Sequence, residues 1–290
     1  MNINNLSSHE NQEPVSNVLY IVGTPIGNLR DISLRALNIL KNVNLIACED
    51  TRQTKKIMTK YEFSNNLTSF NKHNSLKKIP KIIDILKSEK SVALVSDAGL
   101  PSICDPGENL INESRANGIN IICVPGPCAA LTALVSSGFP ASKFIFEGFL
   151  PKKKGERKKI LHEINMYEKT TILFESPQRL KRLLLELKEC FGGEREIQVF
   201  RELTKKFEEH IGKDIDEVID FFNDKEVLGE LTIVIKGKDK KKLKTSFDEI
   251  ALKRELYNLI DAGLTLSEAS KYLAKKYDLK KGLIYSMYNK

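Results

Sequence analysis

The stretch "VSDAGLPSICDPG", residues 95–107, follows the apolar run "SVALV" and carries two aspartates, two glycines and two prolines. A plain reversal of the chain needs a single Gly or Pro. A dozen rigid, polar residues after a buried strand predict an extended, open wall against which something lies. Working outward, "VLYIVGTPIG" (18–27), "NLIACEDT" and "INIICVPG" are also β-prone runs that stop in unusual turns. Between them lie helical segments. "DISLRALNILKNV" (31–43) has apolar residues at helical spacing with Asp31 placed to cap it. "SLKKIPKIIDILKSEK" reads as helical after Pro80. "PGENLINESRANG" has Pro at its start and Gly at its end. Strands alternating with helices predict a largely parallel sheet covered on both faces.

The pattern restarts after a helix at "PCAALTALVSSG". "FIFEGFL", "TTILFES", "EIQVFREL" and "GELTIVIKG" read as strands, with "GERKKILHEINMY", "PQRLKRLLLELKECFG" and "DIDEVIDFFND" as helices between them. The fold class expected is therefore α/β: two consecutive α/β domains, 18–127 and 128–237, after a flexible polar arm (1–17). A basic linker and small helical domain (238–290) follow. In that last piece "DAGLTLSEA" is the turn of a helix-turn-helix-like arrangement.

The 290 residues are 41% hydrophobic and 29% charged, a globular composition with no apolar run long enough to span a bilayer. The five cysteines are scattered without a C-x-x-C pair, and no export signal precedes the first strand. They predict buried thiols in a reducing cytoplasm and no metal site. The net charge is +8, and residues 236–290 hold 14 Lys/Arg against 7 Asp/Glu, so nearly all the excess sits in the tail. "KKKGERKK" (152–159) is a second cluster. Localised positive charge suits a polyanion such as RNA, although solvated lysines on a packing appendage have the same composition.

Ligands of open α/β sheets lie at the carboxyl ends of strands. "GTPIGN", "EDTR", "SDAGLPSICDPG", "PGPCAA", "FESPQR", "RELTKK" and the "GE" opening the last strand all fall at strand ends, which predicts one shared crevice. "VGTPIGN" is not G-x-G-x-x-G, Pro25 removes an amide a pyrophosphate would use, and no P-loop is present. A ligand with a nucleoside, a carboxylate and a cation but no phosphate fits, and S-adenosylmethionine is such a molecule.

"LYIVGTPIGNLRDISLRAL", "EDTRQT", "SDAGLPSICDPG", "VPGPCAALTAL", "EGFLP", "FESPQRL" and "RELTKKFEE", in this order, closely resemble the tetrapyrrole methylase superfamily and, within it, the bacterial ribosomal RNA small subunit methyltransferase I branch. The resemblance runs from about residue 18 to 290. It implies a homodimer with S-adenosylmethionine in an interdomain cleft, and methyl transfer to the ribose 2′-oxygen of a cytidine in the decoding region of 16S rRNA, free or in the small ribosomal subunit. Carried over by motif, Pro25, Asp97, Ala98, Gly99, Ser102, Pro127, Cys128 and Ala129 would meet the cofactor, with Phe174, Glu175, Leu203, Glu230 and Leu231 from the second domain. His73, Glu49, Asp50 and Arg52 are the catalytic candidates: His73 or Glu49 for the hydroxyl proton, Arg52 for phosphate. An Asp–Arg pair ordering the "EDTR" loop, and a surface loop histidine at His73, are the purely structural alternatives. Family members usually carry an acid after the His-Asn of "FNKHNSLKK", where this chain has Ser75. The rival activities are methylation of a porphyrin or corrin precursor, and nucleic-acid binding without catalysis.

Overall fold

In the computed structural model the described residues are 14–239, 249–277 and 279–288. They fall into two compact units. One contains both β-sheets and runs to Lys236; the other comprises Met166–Glu168 and the chain from Gly237 onward.

The first sheet holds β1 (Val18–Val22), β2 (Leu45–Cys48), β3 (Leu67–Ser69), β4 (Val92–Val95) and β5 (Asn120–Val124), all parallel in the order β3-β2-β4-β1-β5. Side chains of a strand alternate between faces, so β1 feeds two cores. Val18, Tyr20 and Val22 pack with α1 (Leu34–Asn42) and α2 (Thr51–Lys60) through Ala36, Ile39, Leu40 and Ile57. Leu19 and Ile21 pack with α3 (Ser75–Lys87) and α4 (Glu108–Ala116) through Ile79, Ile82, Leu86 and Leu110. Burial of each large aliphatic contributes about 1.5–3 kcal/mol, which is why β1 and β4 need no polar face.

Several local expectations change. Asp31 ends a short 3-10 turn (Leu29–Asp31), and Ser33 caps α1 instead, its Oγ accepting the Ala36 N–H at 3.0 Å. The α3 helix begins at Ser75 and carries exposed Pro80 inside it. "EDTR" is the start of α2, with Asp50 as its N-cap, rather than a loop. Residues 96–107 do not run extended: they wind through bends, with Gly99, Ser102 and Cys104 at φ +79°, +71° and +67°. Of the cysteines only Cys48 is buried, while Cys104 and Cys123 are exposed.

The second half contains α5 (Ala129–Ser137), β6 (Phe144–Phe149), α6 (Lys154–Met166), β7 (Thr170–Glu175), α7 (Pro177–Phe191), β8 (Ile197–Arg201), β9 (Glu209–Ile211), α8 (Ile215–Phe222) and β10 (Leu231–Ile235). Its sheet, ordered β6-β7-β10-β8-β9, is mixed: β6 and β7 are parallel, and β10 is antiparallel to β7 and β8. Ala130, Ala133 and Leu134 of α5 cover Ile172, Phe200 and Val234 in a core that also takes Ile26 and Leu203. The turn after β1 is thus seated, through Ile26, in the core of the second half.

The arm is held where it meets β1: the Val15 N–H donates to the Tyr20 hydroxyl at 2.8 Å and the Asn17 N–H to the Lys90 carbonyl at 3.1 Å. Residues 1–13 and most of the charged linker (240–248) lie outside the described residues.

The second unit has α9 (Glu249–Asp261), α10 (Leu266–Lys276) and α11 (Lys281–Tyr288) around Leu252, Leu256, Ala269, Leu273 and Ile284. Gly263, at φ +98°, turns the chain, and Thr265 with Glu268 forms a reciprocal capping box that starts α10. The Glu255 carboxylate ties to Lys276 and Tyr277. Tyr272 and Tyr285 stay exposed among the lysines, and Tyr257 packs against Tyr288 with the rings tilted by 41° and centroids 5.3 Å apart.

Candidate active site

The crevice starts from a close approach of two turns. A Cβ on Gly23 would stand 2.7 Å from the Gly126 Cα, so the turns after β1 and β5 touch only because both residues are glycine. The Thr24 N–H donates to the Gly99 carbonyl at 2.9 Å and the Gly99 N–H returns to Thr24 at 3.1 Å. This stitches the turn after β1 to the turn after β4. Three parallel strands therefore deliver their carboxyl ends to one edge of the crevice.

Across it stand the carboxyl ends of β6 and β7. The amino end of β10 joins them, because β10 is antiparallel and Leu231 pairs with both Glu175 and Arg201. Gly229 (φ +88°) is held there by Glu202: Oε1 of Glu202 accepts the Glu230 N–H at 2.8 Å and Lys205 Nζ at 2.8 Å, while Lys205 also reaches Glu230 at 3.0 Å. Thr204 Oγ1 accepts the Asn28 N–H at 3.0 Å, tying "RELTKK" back to the first turn.

Between these edges lies a cavity of about 460 Å³. Asp97, Ala98, Gly99, Cys128 and Ala129 line it from the first half, and Phe174, Glu175, Glu230 and Leu231 from the second. Pro25, Ser102, Pro127 and Leu203 are not among its lining residues. Leu203 is buried beside Ile26, and the Ser102 Oγ is buried without a partner. Lining residues that the sequence reading passed over include Ile103, Cys104 and Asp105 in the quoted loop, Phe149 ending β6, and Gly229 opening β10. Their position at strand ends was the available signal; their side-chain types gave none.

The charge of this cavity is one-sided. Glu49, Asp97, Asp105, Glu175 and Glu230 line it and no Lys, Arg or His does. Burial pushes the Glu49 carboxyl above its ordinary range, with the Asp105 and Asp97 charges adding to the effect. Burial raises Asp105 likewise, and partial burial together with Asp50 raises Asp97. Glu175 is buried. Its Oε1 accepts the Ser176 N–H at 2.7 Å and lies 3.1 Å from Arg179 Nε, an ion-pair contact whose angle makes no hydrogen bond, while its Oε2 has no donor.

A second cavity, of about 440 Å³, adjoins at Glu49 and is lined by Asp50, Thr51, Arg52, Ser69, Asn71, Lys72 and His73. All four catalytic candidates therefore face it. Asp50, however, is saturated: Arg52 Nη2 and Nε reach its Oδ2 at 2.6 and 3.0 Å, the Arg52 N–H reaches Oδ1 at 2.8 Å, and the carboxyl is held below its ordinary range by these bonds. That is the structural alternative for "EDTR", and it leaves Asp50 unsuited to accept a proton. His73 is exposed.

A family model described as Tetrapyrrole (Corrin/Porphyrin) Methylases matches residues 18–219. The chain belongs to this family. Proteins called ribosomal RNA small subunit methyltransferase I are similar over most of it. The one from Bacillus subtilis (strain 168) is 42% identical over 94% of each chain, and the one from Vibrio cholerae is 41% identical over 92% of this chain and 93% of its own. The Thermotoga maritima protein of that name is 48% identical over 221 residues, 76% of this chain and 99% of its own. Among solved structures, cobalt precorrin-4 methyltransferase shares the fold with a TM-score of 0.60 at 14% identity, covering 76% of this chain and 95% of its own. A uroporphyrin-III-C-methyltransferase from Thermus thermophilus shares it with a TM-score of 0.55 at 17%, covering 75% and 94%.

Proposed function

We propose that this protein transfers the methyl group of S-adenosylmethionine to the ribose 2′-oxygen of a cytidine in the decoding region of 16S rRNA, acting in the cytoplasm as a homodimer on the RNA or the small ribosomal subunit. The observation that carries this reading is the contrast between two cavities joined at Glu49. One is lined by carboxylates without a cation; the other presents Arg52, Lys72 and His73. A carboxylate-lined slot repels nucleotide phosphates and favours a sulfonium and an ammonium. Small residues (Ala98, Gly99, Ala129, Gly229) leave room for a flat base, and Glu175, which borders the slot and whose buried Oε2 has no donor in the free protein, would gain one from a ligand hydroxyl or amine. The relatives named above support RNA as the acceptor.

When bound, the cofactor supplies an electrophilic methyl carbon. The residues of this chain would then hold and activate the acceptor. Glu49, kept above the ordinary carboxylate range, is a stronger base near neutrality and would take the 2′-hydroxyl proton as that oxygen receives the methyl, the electron pair of the broken S–CH3 bond staying on sulfur as a neutral thioether. Arg52, whose Nη1 bonds no described residue, and Lys72 hold the adjoining phosphate. His73 completes the wall and is the second candidate for the proton. The tail helices, with exposed Tyr272 and Tyr285 and excess lysine, add RNA affinity from the second unit. For the dimer, Leu131 and Val135 stand one turn apart on α5, 46% and 75% exposed, an apolar face suited to a second copy.

Labelled methyl transfer tests the assignment, with stripped small-subunit RNA, intact small subunits and a porphyrin precursor offered in parallel and the product nucleotide mapped. Label on a cytidine ribose is the expected outcome; label on the tetrapyrrole alone, or on none of the three, refutes it.

A further inference from the structure

A third cavity lies away from the cofactor slot, on the outer side of the first sheet. It measures about 450 Å³ and is bordered by Lys78, Lys81 and Lys90, with the amides of Asn44 and Asn66. Its floor is apolar, built from Leu45, Leu67, Ile82 and Ile85, and no carboxylate lines it. Lys78 spends one donor on Thr68 Oγ1 at 3.1 Å and keeps two. Among the described residues, Lys72, Lys77, Lys81 and Lys90 enter no ion pair. Positive charge is thus concentrated here without internal neutralisation.

Its placement connects it to the acceptor cavity. Strand β3 is the edge of its sheet; Asn66, Leu67 and Thr68 border the groove, and Ser69, Asn71, Lys72 and His73 border the acceptor cavity. Thr68 and Ser69 are neighbours on this strand, so the two cavities border adjacent residues, about 3.3 Å apart at the usual strand rise. Helix α3 follows the same course, with Lys78 and Lys81 three residues apart and about 4.5 Å along its axis.

We propose that this groove binds a single-stranded stretch of the substrate RNA flanking the methylated nucleotide, its phosphates on Lys78, Lys81 and Lys90 and a base over the apolar floor. The inference rests on the RNA reading above. A cationic rim tracks the backbone of a single strand, while an aliphatic floor can bury the face of an unstacked base and the two amides can reach its edge. It also gives the α/β unit an RNA contact of its own, independent of the tail helices. Lysines beside an edge strand can instead serve only to keep that edge from pairing with another chain. That role needs charge alone and predicts no RNA effect.

The test is the full-length Lys81→Gln/Lys90→Gln variant, compared with wild type for binding to two RNAs. One is a short RNA holding the target nucleotide; the other is the same RNA with single-stranded flanks. Anisotropy is read across a salt series, together with methylation kinetics and cofactor affinity. The wild type is expected to favour the flanked RNA. The variant should lose that preference several-fold, with a log–log salt slope shallower by about 1.4 for two lost contacts to a single strand. Its KM for flanked RNA rises, while kcat and cofactor affinity stay the same. Equal binding of flanked RNA by both proteins at every salt overturns the groove. So does displacement of that RNA by millimolar inorganic phosphate at constant ionic strength, which marks a small-anion site. A variant that self-associates while binding RNA normally assigns the lysines to edge protection and also overturns it. A wild type that methylates no RNA removes the RNA reading itself, whereas methylation with an indistinguishable variant removes only the groove.

Discussion

Replacing Glu175 by Gln separates the worth of this carboxylate to the fold from its worth to the ligand. Glu175 borders the carboxylate-lined cavity, and its side chain is fully buried, with Oε1 engaged by the Ser176 N–H and Oε2 without a donor. In the free protein Oε2 lacks the hydrogen bonds it had in water, a cost that the 3.1 Å contact of Oε1 with Arg179 offsets only in part. Gln keeps the volume and the acceptor for Ser176, loses the attraction of Arg179 and relieves the unpaired charge, so the melting temperature should barely move. Cofactor binding should suffer, because a hydrogen bond to a charged acceptor contributes about 1.5–3 kcal/mol, or about 13- to 160-fold in affinity. Taking about 2 kcal/mol, or about 30-fold, the same cofactor concentration stabilises the two proteins differently. A dose at about 100 times the wild-type Kd stabilises the wild type by about 2.7 kcal/mol and the variant by only about 0.9 kcal/mol. Calorimetric titration measures the first quantity and ligand-dependent thermal unfolding the second. A folded variant that binds S-adenosylmethionine within threefold of wild type would refute the claim that Oε2 awaits a donor from the ligand.

Arg157→Ala should destabilise the α/β unit by about 3–5 kcal/mol in urea unfolding, since Arg157 is buried, grips Glu186 with bonds of 2.6 and 2.7 Å and also satisfies the Pro151 and Lys152 carbonyls. The paired apolar replacement Arg157→Met/Glu186→Leu should recover a large part of the loss, and a single variant within 1 kcal/mol of wild type would contradict this. Asp105→Asn should stabilise the protein at neutral pH. Burial holds this carboxyl above its ordinary 3.8 in the fold, so its ionisation costs stability as pH rises through the folded-state value and costs nothing below the unfolded-state one. The gain in urea midpoint should therefore shrink towards pH 4 and vanish beneath it; a gap independent of pH would count against the burial argument.

Where a segment carried its own pattern, it was legible in the residues. Strands β1 and β4 are buried throughout because helices cover both their faces, and the ordered motifs at strand ends put nine cavity-lining residues in view from Asp97 to Leu231. Strands β3 and β9 escaped because three residues with part-exposed sides carry no period, and α2 because it buries little beyond Thr54, Ile57 and Met58. The direction of β10 was equally hidden: a buried strand reads the same parallel or antiparallel, and only its pairing with β7 and β8 brings Gly229 and Glu230 to the cavity.

The chain by itself determined the two α/β halves, the basic helical tail and the absence of a phosphate loop, since each is written in local composition and spacing. Only the tertiary structure brought Glu49 to Asp97 and Asp105 of the 95–107 loop and raised their proton affinities together. It also decided for the Asp50–Arg52 pair, which the sequence had offered as an alternative, and left one oxygen of Glu175 unpaired. Burial and charge–charge coupling depend on distances through space, and the order of residues does not record those.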